Sequence, residues 1–416
     1  MMFKNSKRIM SLMLVLLLVA SLFAGCAPKA PATPDAAATE APAAPAEKEK
    51  VSLKVWGSQE DQAMLGEMVE AFKAANTEKD YNISFGVVSE ADAKSKYLED
   101  PAAAADVFAF ANDQLYDLVN AGALYEVTKN KADIIAANGA PSIEAASTNG
   151  KLYAYPMTAD NGYFMYYDKS VISEEQVKTL DGILEAAKAA NKKAFMDVSN
   201  GWYIASFFLG AGGKLEVKDG KQLCDFNNAN GVMAGEAIKA LTAHPSFLTG
   251  DDAVLTGGFG DTIAAGVTGT WNAEAIKAKL GDNFAATKLP TFTMGGNQVQ
   301  MGSFAGFKLM GINSLTKAPV DAMILAQWLT NEENQIKRFE VRSMGPSNVS
   351  AASSDAVMAN IPLAALAAQN IFATSQKDVL GSYWGPAEAF GTAMEAKDYA
   401  KSVQDLLNDM VTQITQ

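Results

Sequence analysis

Apolar residues alternate with polar ones at Val51, Leu53 and Val55, then recur at helical spacing at Leu65, Met68, Val69 and Phe72. The first run reads as a strand ending at Trp56-Gly57, the second as one face of an amphipathic helix. Ser58, with Asp61 three residues on, has the spacing of a capping box. Asn76 and its polar neighbours end the helix, and Ile83, Phe85 and Val87 alternate again. This order predicts a βαβ opening. It delivers Gln59, Glu60 and Asp61 to the carboxyl edge of a sheet, where open α/β sheets bind ligands.

Asp106 to Phe110 reads as a buried strand, and Asn112-Asp113 as the cap of a helix that carries Leu115, Leu118 and Val119 inward and stops at Gly122. Two strand-like runs follow, Leu152 to Tyr155 and Tyr163 to Tyr167, separated by Pro156 and the polar Thr158 to Gly162. That break predicts a hinge, with Asp160 and Asn161 between two lobes, where ligand sites tend to lie. Further on, the pattern predicts a long helix from Ser173 to about Asn191, a strand at Ala194 to Met196 and an apolar helix opened by Asn200-Gly201-Trp202-Tyr203. It then predicts a helix over about 228–243, a strand over Ile263 to Thr268, a helix after Gly269-Thr270-Trp271-Asn272 and a strand from Phe284. Gly302 to Asn313 reads as a return crossover and Val320 to Thr330 as a helix. Tyr399, Val403, Leu406, Leu407, Met410, Val411 and Ile414 mark a terminal amphipathic helix.

The ends of the chain change the picture. Lys4, Lys7 and Arg8 precede an apolar run from about Ile9 to Val19, followed by Leu22-Phe23-Ala24-Gly25-Cys26. Residues 1–25 read as an export signal, too short in its apolar part for the roughly 20 residues that span a bilayer. The ending resembles a bacterial lipobox, which implies lipidation of Cys26 and cleavage just before it. Residues 26–50 are almost entirely Ala, Pro, Thr, Glu and Lys, with nothing to bury, and read as a disordered tether. Extended at about 3.1 Å per residue, it would reach at most about 75 Å.

What remains is longer than one hydrophobic core usually serves, so two lobes are expected. Removing residues 1–25 takes away three cations and no acids, so the formal charge goes from −13 to −13 − 3 = −16. An acidic body argues against nucleic acid as a partner. With Cys26 carrying lipid, Cys224 has no disulfide partner and should pack as a small apolar residue.

A sugar has apolar C–H faces and a rim of hydroxyls, so a site for one combines aromatic plates with acids and amides at their edges. Trp271 and Trp384 each stand beside glycine at a loop-to-helix junction, where a core residue is less expected. Trp202 with Tyr203 is a further stacking candidate with core as its alternative, whereas Trp328 reads as core and Trp56 as packing near the site. Glu60, Asp113 and Asp160 fall at strand ends on the same side, although each could instead cap a helix or sit solvated on the surface. Gly257-Gly258-Phe259-Gly260 lacks the Gly-Lys-Ser/Thr of a phosphate loop. With His244 as the single histidine, no Ser-His-Asp, Cys-His or His-rich metal arrangement can be built. Paired carboxylates could in principle hydrolyse glycosides, but no spacing singles out a pair.

Asn-Gly-Lys-Leu-Tyr-Ala-Tyr-Pro from Asn149, followed by Tyr-Tyr-Asp-Lys to Lys169, resembles the first interlobe crossover of the extracellular solute-binding proteins that feed ABC importers. The likeness is to the maltose and oligosaccharide-binding group in particular. The strand, acid and helix ending in Gly122-Ala123-Leu124, and the later Trp at a helix start followed by Leu289-Pro290-Thr291-Phe292, resemble the same family. The resemblance implies two interleaved α/β lobes joined by hinge crossovers. One would comprise 51–158 plus about 312–365, the other 159–311 plus about 366–416. In the maltose binders a Trp, an Asp and an Arg touch sugar in the short run that matches Phe110, Asp113 and Gln114, so the arginine is absent here. Asp160, with Asn161 beside it, matches the acid after the crossover strand, and Trp202-Tyr203 the stacking tyrosine region.

The resemblance therefore implies a lipid-anchored, non-enzymatic binding protein on the outer face of the cytoplasmic membrane. It would capture an oligosaccharide, a maltodextrin above all, and deliver it to an ABC permease as a monomer, with neither cofactor nor metal. The ligand residues expected are Gln59, Glu60, Phe110, Asp113, Asp160, Asn161, Trp202, Tyr203, Trp271 and Trp384. Another oligosaccharide or a polyamine is the alternative ligand, and a surface glycoside hydrolase or an adhesin the alternative class.

Overall fold

The computed structural model describes Lys48–Gln416 apart from Asp219; the segment expected to be an export signal, Cys26 and the Ala/Pro-rich segment up to Glu47 lie outside the described residues. Eleven strands build the main sheets. Numbered in chain order, they are β1 (Lys50–Gly57), β2 (Asp80–Val87), β3 (Val107–Ala111), β4 (Ala154–Gly162), β5 (Phe164–Asp168), β6 (Lys193–Phe195), β7 (Phe247–Leu248), β8 (Ile263–Thr268), β9 (Phe284–Thr287), β10 (Ser303–Ile312) and β11 (Ala373–Ser375).

The first sheet runs β11-β10-β3-β1-β2, with β4 also paired to β10. Strands β3, β1 and β2 are parallel, and β10 is antiparallel to β3 and β4. The second sheet runs β7-β6-β8-β5-β9, with β7, β6 and β8 parallel and β5 antiparallel to both of its neighbours. Period-two alternation explains why this sheet is covered on both faces. Met165 and Tyr167 of β5 enter one buried cluster, while Phe164 and Tyr166 enter another.

The interleaving can be followed residue by residue. Ala154, Tyr155 and Met157 of β4 belong to the core of the first sheet, and Tyr163 just beyond β4 belongs to the core of the second. In the opposite direction, Phe304 of β10 lies in the second core and Leu309, Met310 and Ile312 in the first. Each strand thus begins in one half and ends in the other, giving two crossovers that lie side by side. The helix Pro319–Leu329 then returns Ala322, Leu325, Ala326 and Leu329 to the first core. The helices Trp384–Glu395 and Val403–Ile414 bury Phe390, Met394, Leu407 and Met410 in the second.

The opening follows its pattern. Val51, Leu53 and Val55 are buried, and the helix Gln62–Ala75 buries Met64, Leu65, Met68, Val69 and Phe72 in one stripe. Burying a side chain of this size stabilises by about 1.5–3 kcal/mol. Asn76 ends the helix by donating from Nδ2 to the Phe72 carbonyl at 2.8 Å.

Several local expectations are corrected. Ser58 makes no side-chain cap bond; residues Gln59–Asp61 form a single 3-10 turn, and Asp61 is buried against Arg338 and Arg342 instead. Asn112 does not cap a helix either, because its Oδ1 accepts from the Phe307 backbone at 2.9 Å. Phe85 and Val87 are 38% and 56% exposed, since β2 is an edge strand whose far end extends beyond its cover. The long helix from Ser173 is divided: Thr179 is extended and caps Leu180–Ala189 by accepting from Gly182 N. Tyr399 lies before the terminal helix.

The strand break expected at the hinge is absent, although the chain does pass from one core to the other between Met157 and Tyr163. Pro156 and Thr158 to Gly162 do not break the chain, for all belong to β4, and the interruption falls at Tyr163. Proline is tolerated because β4 ladders with β10 alone, apart from a bridge between Thr158 and Pro346 on its other edge. The irregularity sits in the pairing, whose register shifts on both sides of Lys308.

Candidate functional site

A cleft of about 620 Å³ opens where the two sheets present their strand ends. Glu60 follows β1, Glu90, Ala91, Asp92 and Lys94 follow β2, and Asp113 and Gln114 follow β3. From the other half, Asn200, Trp202 and Tyr203 follow β6, and Trp271 and Asn272 follow β8. Asn161 of β4 and Lys308 of β10 reach it from the crossovers. The carboxyl ends of five parallel strands, β1, β2, β3, β6 and β8, therefore converge on one space, the place where open α/β sheets hold ligands.

Three indoles line it. Trp202 stands in the first turn of the helix Gly201–Gly210, which Asn200 caps by accepting from Trp202 N at 3.0 Å. Trp271 folds back over Gly269, where a Cβ would lie 1.9 Å from the indole ring, so glycine is required for this approach. The Trp202 and Trp271 rings are 5.8 Å apart at 38°. Trp384 is wedged edge-on against Tyr383 and Phe304, at 5.0 and 6.0 Å. Two of the indole N–H groups are engaged: Trp202 Nε1 donates to Gln376 Oε1 at 3.1 Å and Trp271 Nε1 to Asp252 Oδ2 at 3.0 Å. All three indoles remain half-buried, with ring surface left for a ligand.

The polar lining is mostly acidic, with Glu60, Glu90, Asp92, Asp113, Asp252 and Glu388 against Lys94, Lys308 and Arg342. The cations are largely spoken for: Lys94 pairs with Asp117 at 2.7 Å, Arg342 with Asp61 at 3.2 Å, and Lys308 lies 3.9 Å from Glu90. Asp113 accepts from Gln376 Nε2 at 2.7 Å, yet burial outweighs that bond and pushes its carboxyl up to about 7. Burial also holds the Tyr203 phenol well above its usual value, so it is a neutral donor in the wall. Aromatic faces bordered by carboxylates, amides and a phenol can pack on C–H surface while exchanging hydrogen bonds with hydroxyls.

Of the residues the sequence singled out, Glu60, Asp113, Asn161, Trp202, Tyr203, Trp271 and Trp384 are brought together here. Three are not. Phe110 is fully buried between Phe108 and Gly311 in the first core, because every residue of β3 is covered. Gln59 is exposed and does not line the cleft. Asp160 is 2% exposed; its Oδ2 accepts from Thr270 Oγ1 at 2.6 Å and Gly345 N at 2.7 Å, tying the backbone of one half to the other. Sequence reasoning missed Glu90, Asp252, Lys308, Arg342, Gln376 and Glu388. Lys308 alone carried a signal, as a cation inside the apolar strand Phe304 to Met310.

Among the described residues, no group of three or more His, Cys, Asp or Glu is placed to hold a metal ion, and no helix is long and apolar enough to cross a membrane. His244 lies outside the cleft, its Nδ1 accepting from Ser246 N. Cys224 is a free thiol packed against the second core, and burial pushes it up to about 12.

A structure solved with acarbose is 31% identical with a TM-score of 0.79, over 88% of this chain and 99% of the other. The maltodextrin binding protein MalE1 from L. casei BL23 is 26% identical, with a TM-score of 0.73 over the same shares. The Thermus thermophilus maltotriose binding protein, at 22% identity and a TM-score of 0.74 over 87% and 99%, has the same fold. No curated protein matches the sequence. The family model described as bacterial extracellular solute-binding protein matches residues 67–365. Two α/β halves joined by crossover strands around a cleft are the architecture of these neighbours, and the chain belongs to the bacterial extracellular solute-binding protein family.

Proposed function

We propose that this protein captures an oligosaccharide of the maltodextrin class in the cleft between its halves and delivers it, unaltered, to an ABC permease. The observation that carries this reading is the convergence of Trp202, Trp271 and Trp384 with carboxylates and amides in one space. Solved structures similar to this one hold acarbose or are of a maltodextrin binding protein, which supports the ligand class. The indoles serve as plates for sugar faces, and Glu60, Asp113, Asn161 and Tyr203 serve the hydroxyls. One lobe is 51–158 with about 312–365 and the other 159–311 with about 366–416. A ligand touching both favours the closed arrangement by its differential affinity, and closure builds the surface a permease reads. Lipid on Cys26 tethers the monomer to the outer face of the cytoplasmic membrane; mass spectrometry of the mature N-terminus checks this.

Intrinsic tryptophan fluorescence titrated with maltotriose, acarbose and spermidine tests the ligand. Saturable shifts with the sugars are expected, accompanied by a smaller radius of gyration in solution scattering. The acidic excess of the cleft lining favours a polyamine as the second reading, so a response to spermidine alone would replace the first. Release of glucose on long incubation would contradict a pure binder.

A further inference from the structure

Gln376 belongs to a 3-10 turn just after β11, in the unremarkable run Ser375-Gln376-Lys377, and is 4% exposed. Its side-chain amide nevertheless reaches three parts of the molecule. Nε2 donates to Asp113 Oδ1 at 2.7 Å, at the end of β3 in the first half. Oε1 accepts from Trp202 Nε1 at 3.1 Å, in the second half, and from Asn161 Nδ2 at 3.1 Å, on the crossover strand β4. A carboxylate only accepts and an indole only donates, so the amide can satisfy both in just one orientation. Space for it comes from Gly306, where a Cβ would lie 2.7 Å from Gln376 Oε1 and 2.8 Å from Asn112 Oδ1.

We infer that Gln376 is a positioning residue of the binding cleft: its amide sets the angle of the Trp202 plate against the Asp113 carboxylate across the boundary between the halves. This goes beyond the sugar reading in assigning the residue that aligns an aromatic face from one half with an acceptor from the other. It rests on that reading only where affinity is measured. A misaligned plate and acceptor cannot serve adjacent faces of one ring together, so the loss falls on ligands that span both.

The charged groups around this network are mostly acids of the cleft or members of ion pairs. Lys94 and Asp117 flank Asp113 and are paired with each other at 2.7 Å. Glu60, Asp92, Asp252, Glu388, Arg342 and the Glu90–Lys308 pair line the same cleft, and Lys377 turns away to Glu144 at 3.0 Å.

Gln376→Glu is the discriminating variant, because it sets a second carboxylate against Asp113. Two carboxylates so close share one proton when pH is low and repel when both are ionised. The Trp202 contribution to emission, isolated by difference against Trp202→Phe in the same background, should shift between about pH 5 and pH 9 by more in the glutamate variant than in wild type, where Asp113 alone titrates. Maltotriose affinity in that variant should fall at least tenfold at the upper pH and return to within threefold of wild type at the lower. A residue with a merely structural role would lower stability without making Trp202 report on that proton. If the glutamate variant does not fold, Gln376→Met carries the test, since it removes the hydrogen bonds without adding charge and should shift the Trp202 spectrum at every pH. An unchanged Trp202 contribution in the variant that folds overturns the inference whether or not any sugar binds, whereas failure of wild type to bind maltotriose counts against the sugar reading alone.

Discussion

The ammonium of Lys308 stands 3.9 Å from a carboxylate oxygen of Glu90 and 5.5 Å from the centroid of the Trp271 ring. Both charged residues are less than 10% exposed, and Glu90 Oε1 has no hydrogen-bond partner. Removing one member of such a pair leaves the other charge buried and uncompensated, at a cost of about 3–5 kcal/mol. Lys308→Met should therefore destabilise by roughly 3 kcal/mol, with most of it recovered in the double variant with Glu90→Gln. Urea denaturation of the three proteins checks this, and a single variant as stable as wild type would show that the pair is not coupled.

Asp160 joins the halves through bonds to Thr270 and Gly345. Hydrogen bonds to a charged group contribute about 1.5–3 kcal/mol each, so Asp160→Ala should lose on the order of 3 kcal/mol. Asp160→Asn keeps an acceptor for both donors and should lose less than half of that. Thermal melts decide the matter; an alanine variant with an unshifted midpoint would contradict the tie.

Asp113 gives a signed pH dependence. Its folded carboxyl titrates near 7, above the roughly 3.9 of an unfolded aspartate. Between those values the folded protein holds a proton that the unfolded chain has released. The stability contributed by this group is therefore complete below about pH 4 and is lost as pH rises to about 7. Across that window wild type should lose stability relative to Asp113→Asn, measured by urea denaturation at several pH values. Parallel curves would show that burial does not raise this carboxyl.

Trp384 is the indole least entangled with the other two, packed on Phe304 and Tyr383 and open to the cleft. Trp384→Ala should weaken maltotriose binding by at least about 1 kcal/mol, roughly fivefold, as loss of an aromatic stacking partner does. Isothermal titration measures it, and unchanged affinity would clear this residue of a stacking role.

Much of the fold could be read from local pattern. The alternation of Val51, Leu53 and Val55 and the helical stripe from Leu65 to Phe72 are signals within a dozen residues, and the structure keeps them. Trp271 was legible for a similar reason, since an indole beside a glycine at a helix start is awkward in a core. Phe110 was placed in the site by its match to a Trp of the maltose binders, whereas its own strand reads as buried and every residue of it is covered. A break in the strand was wrongly expected because Pro156 is a local breaker, whereas its tolerance depends on pairing with residues near 309. Gln376 and Glu90 were invisible for the same cause: their partners lie hundreds of positions away, and neither sits in a motif.

The interleaving also governs when binding can begin. Gln376, Trp384 and Glu388 all follow Phe372, and the last helix that seals the second core, Val403–Ile414, comes later still. A nascent chain lacking those residues has its early acids and Trp202 without the amide that orients them or the last plate. Synthesis must thus run nearly to the last helix before the cleft lining is complete, so a half-made molecule has no finished site.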